Sequence, residues 1–443
     1  MHSGHLRRWL SFRKTGAHFL GTCTSAPQTR APGARELTHS DPARARRWPT
    51  EPDFWRLWLI GAVQFGVRWI EMLSVGVFVY QQTGSALLVT VMTMLRVLPM
   101  ALFGAFVGAA ADILQGRIVL LLTTLSLLVT SITLALLAHT GHLAIWHLAV
   151  ASLISGTIWS TDMPLRRLMI GRVVGADRMG EAMVFDVGSN NASRMAGPAI
   201  GGAVLVAFGI EGCFALGAIL YLIAILAAAG IHYRNPASAG GAGALFENVL
   251  GAIALVRRER RLAGLLVITV IFNLFGWPSL SLIPVIGADN LGLGPRGVGL
   301  LASMEGVGAI AGVVTVHYLG KPAHYVTLYI GSVMLYLVAL ALFAVLPSAP
   351  LAGLALLVTG LGGSGFAITQ STLVFQSVEP QMRARRLGLL SVAIGTGPLG
   401  FLQVGLLADA IGAQSAIIAV SAGGVLALLL TRPFWREVTM KRD

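Results

Sequence analysis

Gly188-Ser-Asn-Asn-Ala-Ser-Arg194-Met-Ala-Gly197-Pro198-Ala-Ile-Gly201-Gly202 is a glycine-punctuated run inside an apolar segment long enough to cross a bilayer. Lipid gives apposed helices no hydrophobic drive to associate. A membrane helix therefore keeps glycines on the face a neighbour must approach closely, and proline where it must bend. The surroundings agree with a packed, bent membrane helix: of 443 residues 55% are hydrophobic and 12% charged, and the mean hydropathy is +0.76, which excludes a soluble globule. Apolar runs of roughly 20 residues, the length that spans about 30 Å of hydrocarbon, recur from Phe54 to the region of Leu430. About twelve can be counted, so the expected fold is an all-α membrane protein.

The formal charge of +13 comes from short loops and an N-terminal tail rather than one soluble face, which argues for membrane topology and against nucleic acid. Lys and Arg are retained on the cytoplasmic side of short loops. Alternate connections carry Arg117, then Arg166, Arg167, Arg172 and Arg178, then Arg257, Arg258, Arg260 and Arg261, then Lys321, then Arg383, Arg385 and Arg386. These connections and both termini are expected in the cytoplasm. The stretches 81–84, 139–142 and 289–296 and the turn at Glu211 are nearly free of positive charge and are expected outside. Residues 1–50 are basic, lack the apolar core of a signal peptide and read as an unstructured tail, with a transit sequence or an over-extended start as alternatives. A break at Pro236-Ala-Ser-Ala-Gly-Gly-Ala-Gly precedes a basic amphipathic helix over 245–261. The expected organisation is the tail 1–50, an N-terminal six-helix bundle 51–232, a linker 233–261, a C-terminal six-helix bundle 262–433 and a cytoplasmic tail 434–443. The halves echo each other. Arg178-Met-Gly precedes the span holding Gly197-Pro198, Arg386-Leu-Gly precedes Gly395-Thr-Gly397-Pro398-Leu-Gly400, and many transporters are built from such repeats.

The spacing Gly188, eight residues, Gly197-Pro198, two residues, Gly201-Gly202 resembles the fifth-helix signature of proton-coupled efflux members of the major facilitator superfamily. The segment Gly108-Ala-Ala-Ala-Asp112-Ile-Leu-Gln-Gly116-Arg117 resembles the superfamily motif between the second and third spans, with the second glycine one place late and one basic residue where two are usual. Pro52-Asp-Phe-Trp-Arg-Leu-Trp-Leu59, Thr83-Gly84-Ser85 and Arg96-Val-Leu-Pro99 are similar to the branch of bacterial enterobactin and macrolide exporters. The resemblance implies two pseudo-symmetric bundles, a bacterial inner membrane, no cofactor, and a cytoplasmic gate in which Asp112 latches onto a helix terminus of the other half, worth about 0.3–1 kcal/mol when exposed. The competing reading of Gly108, Asp112, Gly116 and Arg117 is an ordinary tight turn.

An ionisable group at the bilayer centre costs at least about 2.5–3.5 kcal/mol and persists only with a partner or a wet cavity. Arg68 and Glu71 fall three residues apart on one helical face; Arg96 and Arg194 also reach the midplane, while Asp186 lies nearer the cytoplasmic end. The second half offers Glu305, with Asn273, Gln370 and Gln403. A proton-coupled exporter needs a carboxyl group whose proton affinity moves with burial and with the approach of a cation. Glu71 is the first candidate, then Asp186, then Glu305. Arg68 and Glu71 equally fit a static neutralising pair. Arg68, Arg96 and Arg194 fit either an anionic or catechol-bearing substrate or, for Arg96 and Arg194, carbonyls freed near Pro99 and Pro198. Trp69, Met72, Phe275 and Trp277 are candidate walls of a drug cavity, or interface residues.

Other chemistries find no support. His139, His142 and His147 lack clustered metal-binding partners, Cys23 and Cys213 make no ligand spacing, and there is neither a phosphate loop nor a hydrolase elbow. The expectation is a monomeric transporter, not an enzyme, exporting a small amphipathic molecule against protons. A proton symporter or facilitator importing a metabolite, and a non-transporting receptor or scaffold, stand as alternatives on the same fold.

Overall fold

The computed structural model describes residues 51–111, 115–233, 260–321, 324–376, 390, 392–433 and 435. The expected tail 1–50, Asp112 of the gate motif, the linker helix and the basic loop around Arg383 lie outside the described residues.

Helices α1 (Pro52–Thr83), α2 (Ala86–Ala111), α3 (Gly116–His139) and α4 (Ile145–Val174) run up and down, followed by α5 (Met179–Ala229). The second half comprises α6 (Arg260–Ile271), α7 (Ile283–Asp289), α8 (Pro295–Leu319), α9 (Tyr325–Val345), α10 (Ala349–Gln376), α11 (Gly397–Ile411) and α12 (Ala413–Leu430). Nine helices among the described residues are long and apolar enough to cross a membrane. One of these, α5, is a hairpin: Gly209 has φ 66° and ψ −171°, a conformation essentially reserved for glycine. Phe185 packs on Phe54 and Trp55, Gly201 on Ile70, and Gly230 beside Arg56, so the chain climbs along α1 and returns. With that hairpin and the further crossings α2 and α4, the described chain makes the expected twelve passes.

Turns through Gly84, Gly141, Gly209, Gly292 and Gly412, all with positive φ, gather at one end of the molecule, the glycine-turn end. Arg117, Arg172 and Arg178 lie at the other, the basic end. On α3, Leu122, Leu125, Val129, Ile132 and Leu136 are exposed at helical spacing, a stripe that belongs in lipid.

Glycine sets the packing. A methyl group on Gly197 would stand 2.5 Å from Trp69 Cβ and one on Gly201 2.9 Å from the Ile70 carbonyl, so α5 lies on α1 without side chains between them. In the second half Gly400 of α11 meets the seventh span the same way, 2.6 Å from the Asn273 carbonyl. Between the halves Gly202 of α5 abuts Pro295 and Gly299 of α8, and Gly405 of α11 admits Leu87 and Thr90 of α2. The same device thus recurs under the pseudo-twofold relation. Gly188 does not share in it: it is exposed, and a methyl group there would meet nothing within 4 Å.

The seventh span is interrupted. A π-helical turn, Phe272–Gly276, and a 3₁₀ segment, Trp277–Leu282, separate α6 from α7, because Pro278 and Pro284 cannot donate to the ladder and clash with the preceding turn. One apolar core joins both halves toward the glycine-turn end, through Leu73, Val89, Leu205, Ile283 and Val298. At the basic end the first half has a core of its own around Phe54, Leu120, Leu165 and Ala224.

The close approach is testable by overfilling. Gly202→Val is expected to cost about 1–3 kcal/mol and to lower the unfolding midpoint in detergent by a few degrees. Gly188→Val, facing open space, should leave it nearly unchanged. Equal losses at the two positions would contradict the packing described.

Candidate functional site

Two facing helices carry part of the buried charge of the first half. On α1, Gly61, Gln64, Arg68 and Glu71 share one face at spacings of three and four. On α4, Ser155, Trp159, Asp162 and Arg166 do the same.

Glu71 is buried. Its Oε2 accepts from Arg96 Nη2 at 3.1 Å and its Oε1 from Ser131 Oγ at 3.4 Å, while Arg96 Nη1 donates to the Arg68 carbonyl at 3.2 Å. The expected pairing of Arg68 with Glu71 does not form. Gly156 has no Cβ where the Arg96 carbonyl passes, so α2 packs closely on α4, and Arg96 satisfies a carboxylate and a carbonyl at once. Arg68 turns to α4 instead, its guanidinium 3.6 Å from the centroid of Trp159, a cation–π contact.

Deeper toward the basic end, Arg166 is only 1% exposed and bonds to Asp186 of α5, which also accepts from Arg167 Nε at 2.8 Å. Arg166 further faces Asp162 across 3.8 Å and the Phe65 ring at 5.1 Å. Gly61 makes room for it. The expectation that Arg166 and Arg167 mark a loop is corrected: α4 runs on to Val174, because two buried acids neutralise the charge within the helix. Asp162 and Arg166 are functional candidates that counting basic residues missed, although an Asp and an Arg four residues apart in one span were a signal for a shared face.

The midplane of the interface holds the other pair. Arg194 of α5 forks onto Glu305 of α8, its Nε 2.6 Å from Oε2 and its Nη2 on Oε1. Arg194 therefore meets a carboxylate of the other half rather than a carbonyl freed by Pro198. The pair borders a cavity of about 60 Å³ walled by Trp69, Met72, Trp277, Pro284 and Thr93. Arg194 also lies 5.6 Å from the Trp69 ring. Phe275 is not in this wall; it packs on Gly424 of α12. A larger open groove of about 1010 Å³ beside Gly209 is lined by α3 and α5 residues and contains none of these buried charges, so the smaller cavity is the candidate site.

Above the cavity, toward the glycine-turn end, the halves are tied by Ala199 N donating to Ser303 Oγ at 3.1 Å, by Tyr80 donating to Asp289, and by Asp409, which accepts from Ser85 Oγ at 2.9 Å and Leu87 N at 3.0 Å. The second half has an uncharged counterpart to the interior cluster: Gln370 donates to Thr269, Thr269 meets Tyr329, and Asn273 donates to the Thr269 carbonyl, each at 2.9 Å. Of the gate motif, Gly108 lies in α2, Gly116 packs on Leu165 and Met169, and Arg117 donates to the Ala229 carbonyl at 2.7 Å. That last bond puts a cation on the C-terminal end of α5, within the first half.

Residues 50–440 match the family model described as transmembrane secretion effector. The staphyloferrin A transporter of Staphylococcus aureus is 23% identical over 383 residues, covering 85% of this chain and 94% of that protein. Macrolide efflux protein A of Streptococcus pyogenes is 19% identical over 366 residues, covering 81% and 90%. Among solved structures, the nucleoside transporter NupG superposes with a TM-score of 0.71 at 15% identity, covering 87% of this chain and 99% of its own. The chain belongs to the transmembrane secretion effector family of major facilitator transporters, and it is a transporter rather than an enzyme.

Removing one member of a buried charge cluster leaves its partners uncompensated, which typically costs about 3–5 kcal/mol. Arg166→Met is therefore expected to lose most of the folded yield in membranes. Arg167→Ala, whose side chain is a third exposed, should cost about 0–1 kcal/mol. Thermal unfolding of the purified variants in detergent measures both, and a silent Arg166→Met would show that the cluster carries no such energy.

Proposed function

We propose that this secretion-family transporter exports a small amphipathic molecule, drug-like or siderophore-like, in exchange for protons, by alternating access of two six-helix halves (51–232 and 262–433). One observation carries the reading: an ion pair, Arg194 with Glu305, joins the halves inside a cavity walled by two tryptophans. An amphipathic guest entering there gains aromatic contact and competes for the charges. The halves part when it does so, because each charge has a new partner. The family relatives named for a siderophore and a macrolide support the substrate class.

The basic end, with Arg117, Arg172 and Arg178, is assigned to the cytoplasm on the retention of Lys and Arg, and both termini with it. The membrane is the bacterial inner membrane and the working unit a monomer. The arrangement is then the state closed to the outside, tied by the Tyr80, Ser85 and Leu87 contacts. Glu71 is the coupling carboxylate, with Asp186 and Glu305 in reserve. Protonating Glu71 removes the counter-charge of Arg96, which sits on α2, and α2 is the helix whose first turn Asp409 holds from the other half. Protonation of Glu71 from outside thus biases the inward-facing state, and release of that proton to the cytoplasm restores the Arg96 pair before the carrier turns outward again. Gly197, Pro198, Gly201 and Gly202 keep that bend sealed, and the Gly108-to-Arg117 motif serves the cytoplasmic gate. The charged interior of the first half against the neutral network of the second supports coupling in the first.

Everted membrane vesicles with an acidic interior test the reading, with a pH dye followed as macrolides and siderophore-like anions are added. Wild type is expected to release protons on adding a substrate, and Glu71→Gln to release none while still binding it. Glu305→Gln should raise the half-saturating concentration about tenfold, or about 1.4 kcal/mol. Unchanged proton release in Glu71→Gln would move the coupling role to Asp186 or Glu305.

A further inference from the structure

Arg68, Glu71, Arg96, Asp162, Arg166 and Asp186 do not line the cavity between the halves, and their surroundings are incompletely bonded. Among the described residues nine buried side-chain polar atoms lack a hydrogen-bond partner, and five of them, Gln64 Nε2, Arg68 Nε, Trp159 Nε1, Asp162 Oδ2 and Arg166 Nε, lie on the facing stripes of α1 and α4. Asp162 and Arg166 are both essentially inaccessible. Protein interiors rarely leave such groups unmet, and where they are clustered beside free space the usual partner is water. The space is there. A cavity of about 30 Å³ is walled by Gln64, Arg68, Glu71, Arg96, Trp159 and Tyr221, a volume that holds a water molecule. Gln64 bridges this cavity and the deeper acid, because it lines the one and its side chain lies beside the other. Beyond Asp162 come Arg166 and Asp186, and then Arg167, whose side chain reaches the surface at the basic end.

We propose that the facing stripes of α1 and α4 form a water-binding site that continues from Glu71 past Gln64 to Asp162, giving protons a route between Glu71 and the basic end that is separate from the substrate cavity. Water in the cavity donates to Glu71 and accepts from two at a time of the donors on Gln64, Arg68 and Trp159. The next link lies between the Gln64 amide and Asp162 Oδ2. Asp162 is the second proton acceptor of the route, and its other oxygen is held by Thr123 at 3.4 Å. Arg68, Arg96 and Arg166 line the path and exclude other cations, while a proton passes along water and carboxylate.

The opposite side of Glu71 is tighter. There a gap of only about 10 Å³, bounded by Ser131, Ser152, Leu134 and Leu148, separates it from the glycine-turn end. The larger space beside Glu71 thus lies on its basic-end side, in the same conformation in which the halves are tied at the other end. The use of the route in coupling rests on the exchange reading above; the water itself does not.

Hydroxyl-radical footprinting of the full-length protein in lipid nanodiscs, read by mass spectrometry, tests the water directly, because radiolysis oxidises side chains that touch bound water however deeply they lie. Tyr221 borders the cavity, whereas Tyr329, also buried and with its hydroxyl bonded to Thr269 and the Leu265 carbonyl, borders neither it nor the gap beyond Glu71. Tyr221 is expected to be oxidised at least tenfold faster than Tyr329, and Gln64→Leu, of similar size but without the amide, to bring it within twofold. Wild-type Tyr221 reacting no faster than Tyr329 would mean a dry interior and overturn the proposal. In the vesicle assay Gln64→Leu and Asp162→Asn are expected to slow substrate-triggered proton release at least tenfold with substrate affinity unchanged. Release at the wild-type rate from both variants would place the route elsewhere. If wild-type vesicles release no protons with any substrate, the exchange reading fails while the footprint still decides whether the water is there.

Discussion

An arginine halfway across a bilayer has nowhere to place its charge except on another part of the protein, and much of this structure follows from that constraint. The chain places four arginines in the inner reaches of its first half: Arg68, Arg96, Arg166 and Arg194. Each has a different solution: an aromatic face, a carboxylate shared with a carbonyl, a carboxylate of a neighbouring helix, and a carboxylate of the other half. The helices must come close enough for these contacts to be made, and glycine is what lets them. Gly61 clears space for Arg166, Gly156 for the backbone at Arg96, and Gly217 stands beside the Glu71 carboxylate. Charge and close packing are therefore one design. Neither would hold in a hydrocarbon solvent without the other.

The two halves use the same packing device for different ends. Gly197 and Gly201 seat α5 on α1, and Gly397 and Gly400 seat α11 on the seventh span, yet the first half surrounds its contact with charge and the second with hydroxyls and amides. The interrupted seventh span adds a second asymmetry. Its prolines place Trp277, Ser281 and Pro284 in the cavity wall, where an unbroken helix would have presented a regular face. A scaffold made of repeats thus supports a cavity that is not symmetric, with an ion pair shared between the halves and a bent segment supplied by the second half alone.

Much of this was legible in the sequence, for identifiable reasons. Spans, their number and the close-packed bend are set by local composition, so Gly197, Gly201 and Gly202 fall where their spacing put them. Partners were much less legible, because proximity along one helix does not decide which of several nearby cations a carboxylate takes. Arg68 is three residues from Glu71 on the same face, yet Arg96, twenty-five residues away, wins by bonding two acceptors together. Arg166 was read as a loop residue because a count of basic residues cannot register a buried acid on the neighbouring helix. Gly188 shares the rhythm of the signature but, nine residues before Gly197, lies about half a turn round the helix and faces open space.

The bond between Arg194 and Glu305 has a meaning for the cell that geometry alone does not express. A carrier that changed sides while empty would let protons run down their gradient and export nothing. On the proposed cycle, separating the halves with no guest in the cavity would strand two opposite charges among tryptophans and prolines, away from water. That penalty falls only on the idle carrier, since a suitable guest supplies replacement contacts. The same two side chains that help to recognise cargo would then also conserve the membrane's energy between transport events.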